Sequence, residues 1–191
     1  KVILKYEYKF LYGCGGMIVK IIVAPDSFKG SLTQIEAAEM MKEAAKEINP
    51  QHDVIMKPMA DGGEGTLDAL LAASEGSERI PVEVVGPLGE NIHTHIGIVQ
   101  NDTAVIEVAA ICGLPLVPED QRNPYETTTY GIGQAIKLAL DRGIRQFVVG
   151  LGGSATNDGG LGMFLALGAK MHNIQGEQVG IYGKDLLHIH S

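Results

Sequence analysis

Apolar runs and helically spaced apolar positions alternate along the chain from residue 18 onward. Residues 18–24 and 54–56 are short, mostly β-branched runs typical of buried strands, and the first is interrupted only by Lys20. Between them, apolar side chains recur with helical spacing: Ile35, Ala38, Met41, Ala45 and Ile48. Thr33 and Glu36 stand at capping-box spacing before this helix. A further helix is expected from Thr66 to about residue 74, which makes a βαβα pattern and predicts a parallel sheet.

The pattern changes near residue 75. Residues 79–85 and 92–99 have strand character and are separated by a hairpin-type connection at residues 86–90. Residues 103–109 are predicted as another strand. A helix follows residues 127–129 and ends at Gly143, and residues 145–151 and 161–168 predict a buried strand and a short helix. We therefore predict an α/β protein with a Rossmann- or flavodoxin-like parallel-sheet part and a second α/β domain with a mixed sheet.

The predicted domains are residues 17–76, part of the flavodoxin- or Rossmann-like domain, and residues 77–191, the second domain. Residues 1–16 are interpreted as a non-native extension, because they carry three of the six tyrosines and precede Met17, a natural start. Residues 175–191 contain turn residues but no complete element. We therefore expect the second domain to be truncated at its carboxyl end.

Composition and charge narrow the class of partner. The 191 residues are 45% hydrophobic, with a formal net charge of −8 and no basic stretch, which argues against a nucleic-acid or anionic-membrane surface. No apolar run approaches the ~20 residues of a membrane span. Two separate cysteines form no metal spacing or disulfide framework, so a reducing cytoplasm is expected. The expected partner is a small molecule, and self-association into a homo-oligomer is a hypothesis, because an incomplete domain would expose apolar surface.

The richest candidate site is the loop of residues 152–160, between the strand at 145–151 and the helix at 161–168. Its glycines let an anion approach free backbone amides, above all those of Gly152, Gly153 and Ser154. The loop also carries neutral donors and one carboxylate suited to Mg²⁺ or a substrate hydroxyl: Ser154, Thr156, Asn157 and Asp158. The alternative is a tight turn in which Asp158 or Asn157 caps the helix.

Two other loops also follow predicted strands, where open α/β sheets bind ligands. Residues 25–31 contain Asp26, Ser27 and Lys29, and the lysine could hold a phosphate or carboxylate; a surface ion pair together with helix caps is the alternative. Residues 60–66 place two acidic side chains among three glycines at a helix start: Asp61, Gly62, Gly63, Glu64 and Gly65. Those carboxylates could instead only complement the helix dipole.

Taken together, the motifs resemble those of the bacterial glycerate kinase family, of the glycerate 2-kinase type. The resemblance is collinear from Met17 to about residue 176 and is carried by APDSFKGSL (24–32), ADGGEGT (60–66), GPLG (86–89), TTTYG (127–131) and GLGGSATNDGG (150–160). Later family motifs are missing, and family members are about twice as long, so the chain resembles the amino-terminal half.

The resemblance implies transfer of the γ-phosphoryl group of ATP to a hydroxyl of D-glycerate, with Mg²⁺, giving phosphoglycerate, expected to be 2-phosphoglycerate. Lys29, Asp61 and Asp158 are then the catalytic candidates. Glu64 and Asp158 are candidates for contacting Mg²⁺, and the amides and hydroxyls of the three loops for binding substrate and phosphate.

The truncated chain is also compatible with a non-catalytic fragment that binds an anion or nucleotide without turning it over. An unrelated dinucleotide-binding oxidoreductase lacks support, because no G-x-G-x-x-G with a later acidic partner follows a strand.

Overall fold

The structure, a computed structural model, describes residues 6–7 and 18–191. It divides into two compact units, Lys1–Asp61 and Gly62–Ser191. Each unit combines a β-sheet with helices, which confirms the predicted α/β class. Apart from Tyr6–Glu7, the proposed non-native extension at residues 1–16 lies outside the described residues.

The first unit is built on a parallel pair of strands. Its elements are β1 (Tyr6–Glu7), β2 (Lys20–Val23), α1 (Gln34–Ile48) and β3 (Asp53–Met56). β2 and β3 run parallel, with Ile21 opposite Val54, and β1 pairs antiparallel with β2. The parallel pair connected through a helix is the arrangement that the sequence pattern predicts.

The start of α1 is fixed by the predicted capping box. The Thr33 amide donates to Glu36 Oε2 at 2.8 Å, and the Glu36 amide donates to Thr33 Oγ1 at 3.2 Å. The hydrogen bonds from the Thr33 amide and hydroxyl hold the pKa of the Glu36 carboxyl below its usual range. This prediction is confirmed in both position and chemistry.

The second unit contains the larger sheet. Its strands are β4 (Glu78–Val85), β5 (Asn91–Val99), β6 (Thr103–Glu107) and β7 (Gln146–Gly150), and its α-helices are α2 (Thr66–Ala73), α3 (Ala109–Cys112), α4 (Tyr130–Asp141) and α5 (Leu161–Ala166). The strands stand in sequence order. β4, β5 and β6 pair antiparallel, whereas β6 and β7 run parallel, which confirms the predicted mixed sheet.

Helices cover both faces of the sheet. Ala104 and Ile106 of β6 belong to the core that contains Ile132 and Ala135 of α4. Val105, which points the other way because side chains alternate along a strand, packs with Leu67 of α2. β6 is therefore a central strand between two helices, and its carboxyl end leads directly into the candidate site.

Two strands are less buried than their apolar sequences predict. Only Val23 of β2 is fully buried, and β7 lies at the end of its sheet with Val148 42% exposed. The continuous apolar runs predicted burial on both faces. Strand pairing and burial are separate properties, and the sequence pattern predicted only the first of them correctly.

Three local assignments differ from the sequence pattern. α2 packs on β5 and β6 in the second unit, whereas the pattern grouped it with residues 17–76; the domain boundaries of the protein remain a prediction. β6 ends at Glu107 and the chain turns into α3, although residues 103–109 were predicted as one strand. The tail, for which the sequence predicts no complete element, contains a 3₁₀ helix at Gly183–His188. At its start the Tyr182 amide donates to Asp185 Oδ2 at 2.9 Å.

None of the helices in the described part of the chain is long and apolar enough to span a bilayer.

Candidate functional site

Two glycine-rich loops pack backbone against backbone in the second unit. The Gly152 amide donates to the Gly62 carbonyl at 2.7 Å. A Cβ on Gly152 would lie 2.6 Å from Cα and N of Gly63, and a Cβ on Gly150 would lie 2.7 Å from the Gly62 carbonyl oxygen. The structure thus brings together the predicted loops at residues 62–65 and 152–160, and only glycine permits so close an approach.

A buried carboxylate, Glu107, holds the 62–65 loop at the end of β6. Its Oε1 accepts from the Gly65 amide at 3.2 Å and its Oε2 from the Leu67 amide at 2.9 Å, which satisfies donors at the start of α2. The sequence pattern does not single out this residue as a candidate. The available signal was a lone glutamate closing an otherwise apolar strand, because a buried carboxylate requires partners.

We expect Glu107→Gln to lower the free energy of unfolding of the second unit by about 1–3 kcal/mol, since the amide of either Gly65 or Leu67 loses its carboxylate acceptor. Urea denaturation measures the change. Glu83→Gln, on the exposed face of β4, is the matched control and should leave the midpoint unchanged. Equal stability of Glu107→Gln and wild type would contradict the anchoring role.

The first half of the 152–160 loop leaves two backbone amides open. The Gly153 carbonyl accepts from the Leu114 amide and the Ala155 amide donates to the Cys112 carbonyl, both at 2.9 Å, so this stretch is held along the segment after α3. Gly153 and Ser154 are exposed, and among the described residues neither amide has an acceptor. Three amides of this loop were predicted to bind an anion. The Gly152 amide is already hydrogen-bonded to the Gly62 carbonyl, whereas the amides of Gly153 and Ser154 can receive an anion.

Hydroxyl groups stiffen this part of the loop. Ser154 Oγ lies 2.8 Å from Thr156 Oγ1 and accepts from the Thr156 amide at 3.1 Å. Thr156 Oγ1 also lies 3.8 Å from the Cys112 sulfur. Burial raises the pKa of the Cys112 thiol to about 11, so the thiol stays protonated at neutral pH and serves as packing rather than as a nucleophile.

Asp158 lies inside the loop rather than on its surface. The residue is 1% exposed; Oδ2 accepts from the Thr129 amide, the Thr129 hydroxyl and the Gly162 amide at 2.7–3.1 Å, and Oδ1 accepts from the Gly160 amide at 3.0 Å. Both carboxylate oxygens are therefore engaged within the protein. This geometry supports the capping alternative for Asp158, and a contact with Mg²⁺ or substrate remains an untested prediction.

Threonines at the start of α4 tie the loop to neighbouring segments. Thr127 Oγ1 lies 3.3 Å from the Ala155 carbonyl, Thr128 Oγ1 donates to the Ile181 carbonyl at 2.6 Å, and Thr129 Oγ1 donates to Asp158. All three side chains are buried. The TTTYG motif contributes to the family resemblance, but the sequence pattern alone gives no sign that these hydroxyls position the loop.

Asn157 and Glu64 are exposed members of the two loops. Within the described part of the chain, neither side chain makes a hydrogen bond. Both are accessible to a ligand, and the structure does not hold them in a fixed orientation. Their binding roles stay predictions.

The remaining candidates belong to the first unit. Asp26 Oδ1 accepts from the Ser27 amide at 2.7 Å, and the exposed Lys29 stands on a turn closed by hydrogen bonds between Phe28 and Leu32. Within the described residues Asp26 and Lys29 form no ion pair, so the ion-pair part of the alternative for this loop is not supported. The Met59 amide donates to the Pro25 carbonyl at 2.9 Å, so the chain leading to Asp61 runs beside this loop.

The described residues group no large set of metal-binding side chains. Across residues 18–191, no group of three or more His, Cys, Asp or Glu side chains could hold a metal ion. Of the two predicted ligands, Asp158 already accepts four hydrogen bonds, whereas Glu64 is exposed. A contact of either residue with Mg²⁺ stays a prediction.

Comparison with known proteins identifies the family. Residues 21–191 match the model of the glycerate kinase family. A glycerate kinase of Haemophilus influenzae is 47% identical over 172 residues, which cover 90% of this chain and 45% of the relative. A glycerate kinase of Bacillus subtilis is 50% identical over 164 residues, which cover 85% of this chain and 42% of the relative.

A solved structure agrees with these relatives. A crystal structure described provisionally as glycerate kinase 2 of Salmonella typhimurium LT2 superposes with a TM-score of 0.78 at 43% identity, over 90% of this chain and 46% of the other. The chain thus spans a little less than half the length of the relatives that it matches. On the family model, the sequence identities and the shared fold, the chain belongs to the glycerate kinase family.

Proposed function

We propose that the protein to which this chain belongs is a glycerate kinase, which transfers the γ-phosphoryl group of ATP to a hydroxyl of D-glycerate and forms 2-phosphoglycerate. The observation that carries the proposal is the 152–160 loop, where the amides of Gly153 and Ser154 are open to a ligand. The backbone around them is held by hydrogen bonds to Gly62 on one side and to the segment at residues 112–114 on the other. Phosphoryl transfer depends on positioning and charge stabilisation more than on covalent help, and preorganised amides supply both. Family membership supports the same reaction.

Within this proposal the residues divide into anion-binding groups and groups that shape the site. The amides of Gly153 and Ser154 bind a phosphate, and the exposed Asn157 adds a side-chain amide beside them. Glu107 and Asp158 position the two glycine loops. Glu64 and Asp61 remain candidates for contacts with the hydroxyls of D-glycerate.

Lys29 is proposed to neutralise an anionic group of a substrate, either a phosphate or the carboxylate of D-glycerate. Its ammonium group is exposed and is not ion-paired within the described residues, so it is available to a ligand. Mg²⁺ is proposed to accompany ATP as the nucleotide complex, because Mg²⁺ is commonly bound through substrate phosphates and few protein groups.

The test is an ADP-release assay with D-glycerate, ATP and Mg²⁺ on the intact gene product and on this chain. Enolase, which accepts 2-phosphoglycerate directly, distinguishes this product from 3-phosphoglycerate. Activity of the intact protein supports the proposal. If this chain alone is inactive but still binds ADP, it is the non-catalytic fragment of the alternative. Absence of turnover in the intact protein would overturn the proposal.

We expect Lys29→Met to reduce kcat/KM of the intact enzyme by at least ~10²-fold, the scale of removing one oriented charged group. The ADP-release assay measures the change. Lys42→Met removes an exposed lysine on α1 and serves as the control, with kcat/KM near wild type. Near-wild-type kcat/KM for Lys29→Met would remove Lys29 from the catalytic candidates.

A further inference from the structure

A cavity lies beside the 152–160 loop, within the second unit. Its volume is about 240 Å³, and its walls are Pro124, Tyr125, Asn157, Gly183, Leu186 and Leu187. Pockets for drug-sized ligands occupy ~300–1,000 Å³, so this cavity suits one part of a ligand rather than a whole one. Its walls are mostly apolar, and Asn157 supplies the amide group among them.

The walls of the cavity are fixed by the framework around them. The Gly183 amide donates to the Thr127 carbonyl at 3.0 Å, and Lys184 pairs with Glu126 at 2.6 Å. These bonds join the 3₁₀ helices Pro124–Glu126 and Gly183–His188, which carry Tyr125 and the two leucines. Tyr125 is 57% exposed and Leu187 is 77% exposed, although the segments that carry them are anchored. A ligand that covers them gains the free energy of removing apolar area from water.

The cavity lies close along the chain to the proposed phosphate-binding amides. Asn157 lines it and stands three residues after Ser154, so the two positions are at most about 11 Å apart along the chain. A Cβ on Gly159 would lie 3.7 Å from a methyl carbon of Leu186, which shows that the wall packs directly on the loop. A single elongated ligand can therefore reach both places. Its anionic end would meet the amides, and its flat apolar end would enter the cavity.

We propose that this cavity is the subsite for the base of the phosphoryl donor, a nucleoside triphosphate. Tyr125, Leu186 and Leu187 contact the faces and edge of the base, and the Asn157 side-chain amide, which can both donate and accept, hydrogen-bonds its polar edge. The inference rests on the proposed function for the identity of the donor. It adds the location of the base and the residues that bind it.

The test compares Leu187→Asn with Ile174→Asn in the intact gene product. Leu187 is 77% exposed and Ile174 is 74% exposed, so the two substitutions remove equally accessible apolar groups, but only the first lines the cavity. We expect Leu187→Asn to raise the KM for ATP and the Kd for ADP about 10-fold, with the KM for D-glycerate unchanged. Ile174→Asn should leave all three unchanged. Tripolyphosphate, which has no base, should inhibit wild type and Leu187→Asn equally.

The outcomes separate this inference from the proposed function. An active enzyme whose KM for ATP and Kd for ADP are the same in Leu187→Asn and wild type would overturn the base subsite while leaving the kinase assignment intact. A protein that fails to phosphorylate D-glycerate but binds ADP in a Leu187-dependent manner would retain the subsite and overturn the substrate assignment. A parallel loss of tripolyphosphate inhibition in Leu187→Asn would also overturn the subsite, since it would indicate a disturbed loop.

Discussion

Asp158→Asn is expected to lower the free energy of unfolding of the second unit by about 3 kcal/mol, because breaking a buried charged hydrogen-bond network costs that much. The carboxylate accepts from four donors and lies at the start of the twelve-residue helix α4, where a negative charge is favoured. An asparagine removes the charge and turns an NH₂ group toward at least one backbone amide. Urea denaturation and the thermal midpoint measure the loss.

This experiment also separates the two roles considered for Asp158. If Asp158 is a capping residue, Asp158→Asn lowers both the stability and the activity of the intact protein, because the 152–160 loop loses its anchor. If Asp158 instead contacts Mg²⁺ or substrate, the variant keeps wild-type stability and shows a large fall in kcat/KM. That second result would contradict the capping role. Asp141→Asn, an exposed position at the end of α4, is the control and should change stability by less than ~0.5 kcal/mol.

Gly152→Ala is expected to lower the free energy of unfolding of the second unit by about 3 kcal/mol, because it overpacks the contact between the two glycine loops. Overpacking in rigid surroundings costs about 1–3 kcal/mol and occasionally more. The added methyl group would stand 2.6 Å from Cα and N of Gly63, which are backbone atoms and cannot rotate away. The loops must separate, and the hydrogen bond from the Gly152 amide to Gly62 should break. Urea denaturation and faster amide exchange at Gly152 measure this effect.

The adjacent Leu151 provides the control for the glycine substitution. Its side chain is 75% exposed, so Leu151→Ala should change the free energy of unfolding by less than ~0.5 kcal/mol. If Gly152→Ala were as stable as Leu151→Ala, the close packing of the two loops would not be a property of the folded protein in solution.

Features that depend on near neighbours in sequence could be predicted well. The capping box of Thr33 and Glu36 spans three positions, and both of its hydrogen bonds form. The antiparallel pair β4 and β5 follows from two strand-like runs around a short turn. In each case the partners are brought together by local geometry, so the residue pattern alone specifies them.

Features that depend on distant partners could not be predicted. Glu107 bonds to amides forty and forty-two positions away, and the pattern around it predicts only a strand. Asp158 stands out in the sequence as a candidate carboxylate, but its burial depends on Thr129, twenty-nine positions earlier. Hence the sequence pattern marks the loop as a candidate site, whereas the direction in which the carboxylate points depends on tertiary packing.

The threonine hydroxyls at the start of α4 have a consequence for motion. Thr127, Thr128 and Thr129 bond to the loop at Ala155 and Asp158 and to the tail at Ile181. Exposing any one of these segments to solvent therefore breaks hydrogen bonds that the others need, and segments distant in sequence open cooperatively. A ligand that rests on the 152–160 loop would thereby slow the local opening of the helix start and of the tail, without touching either.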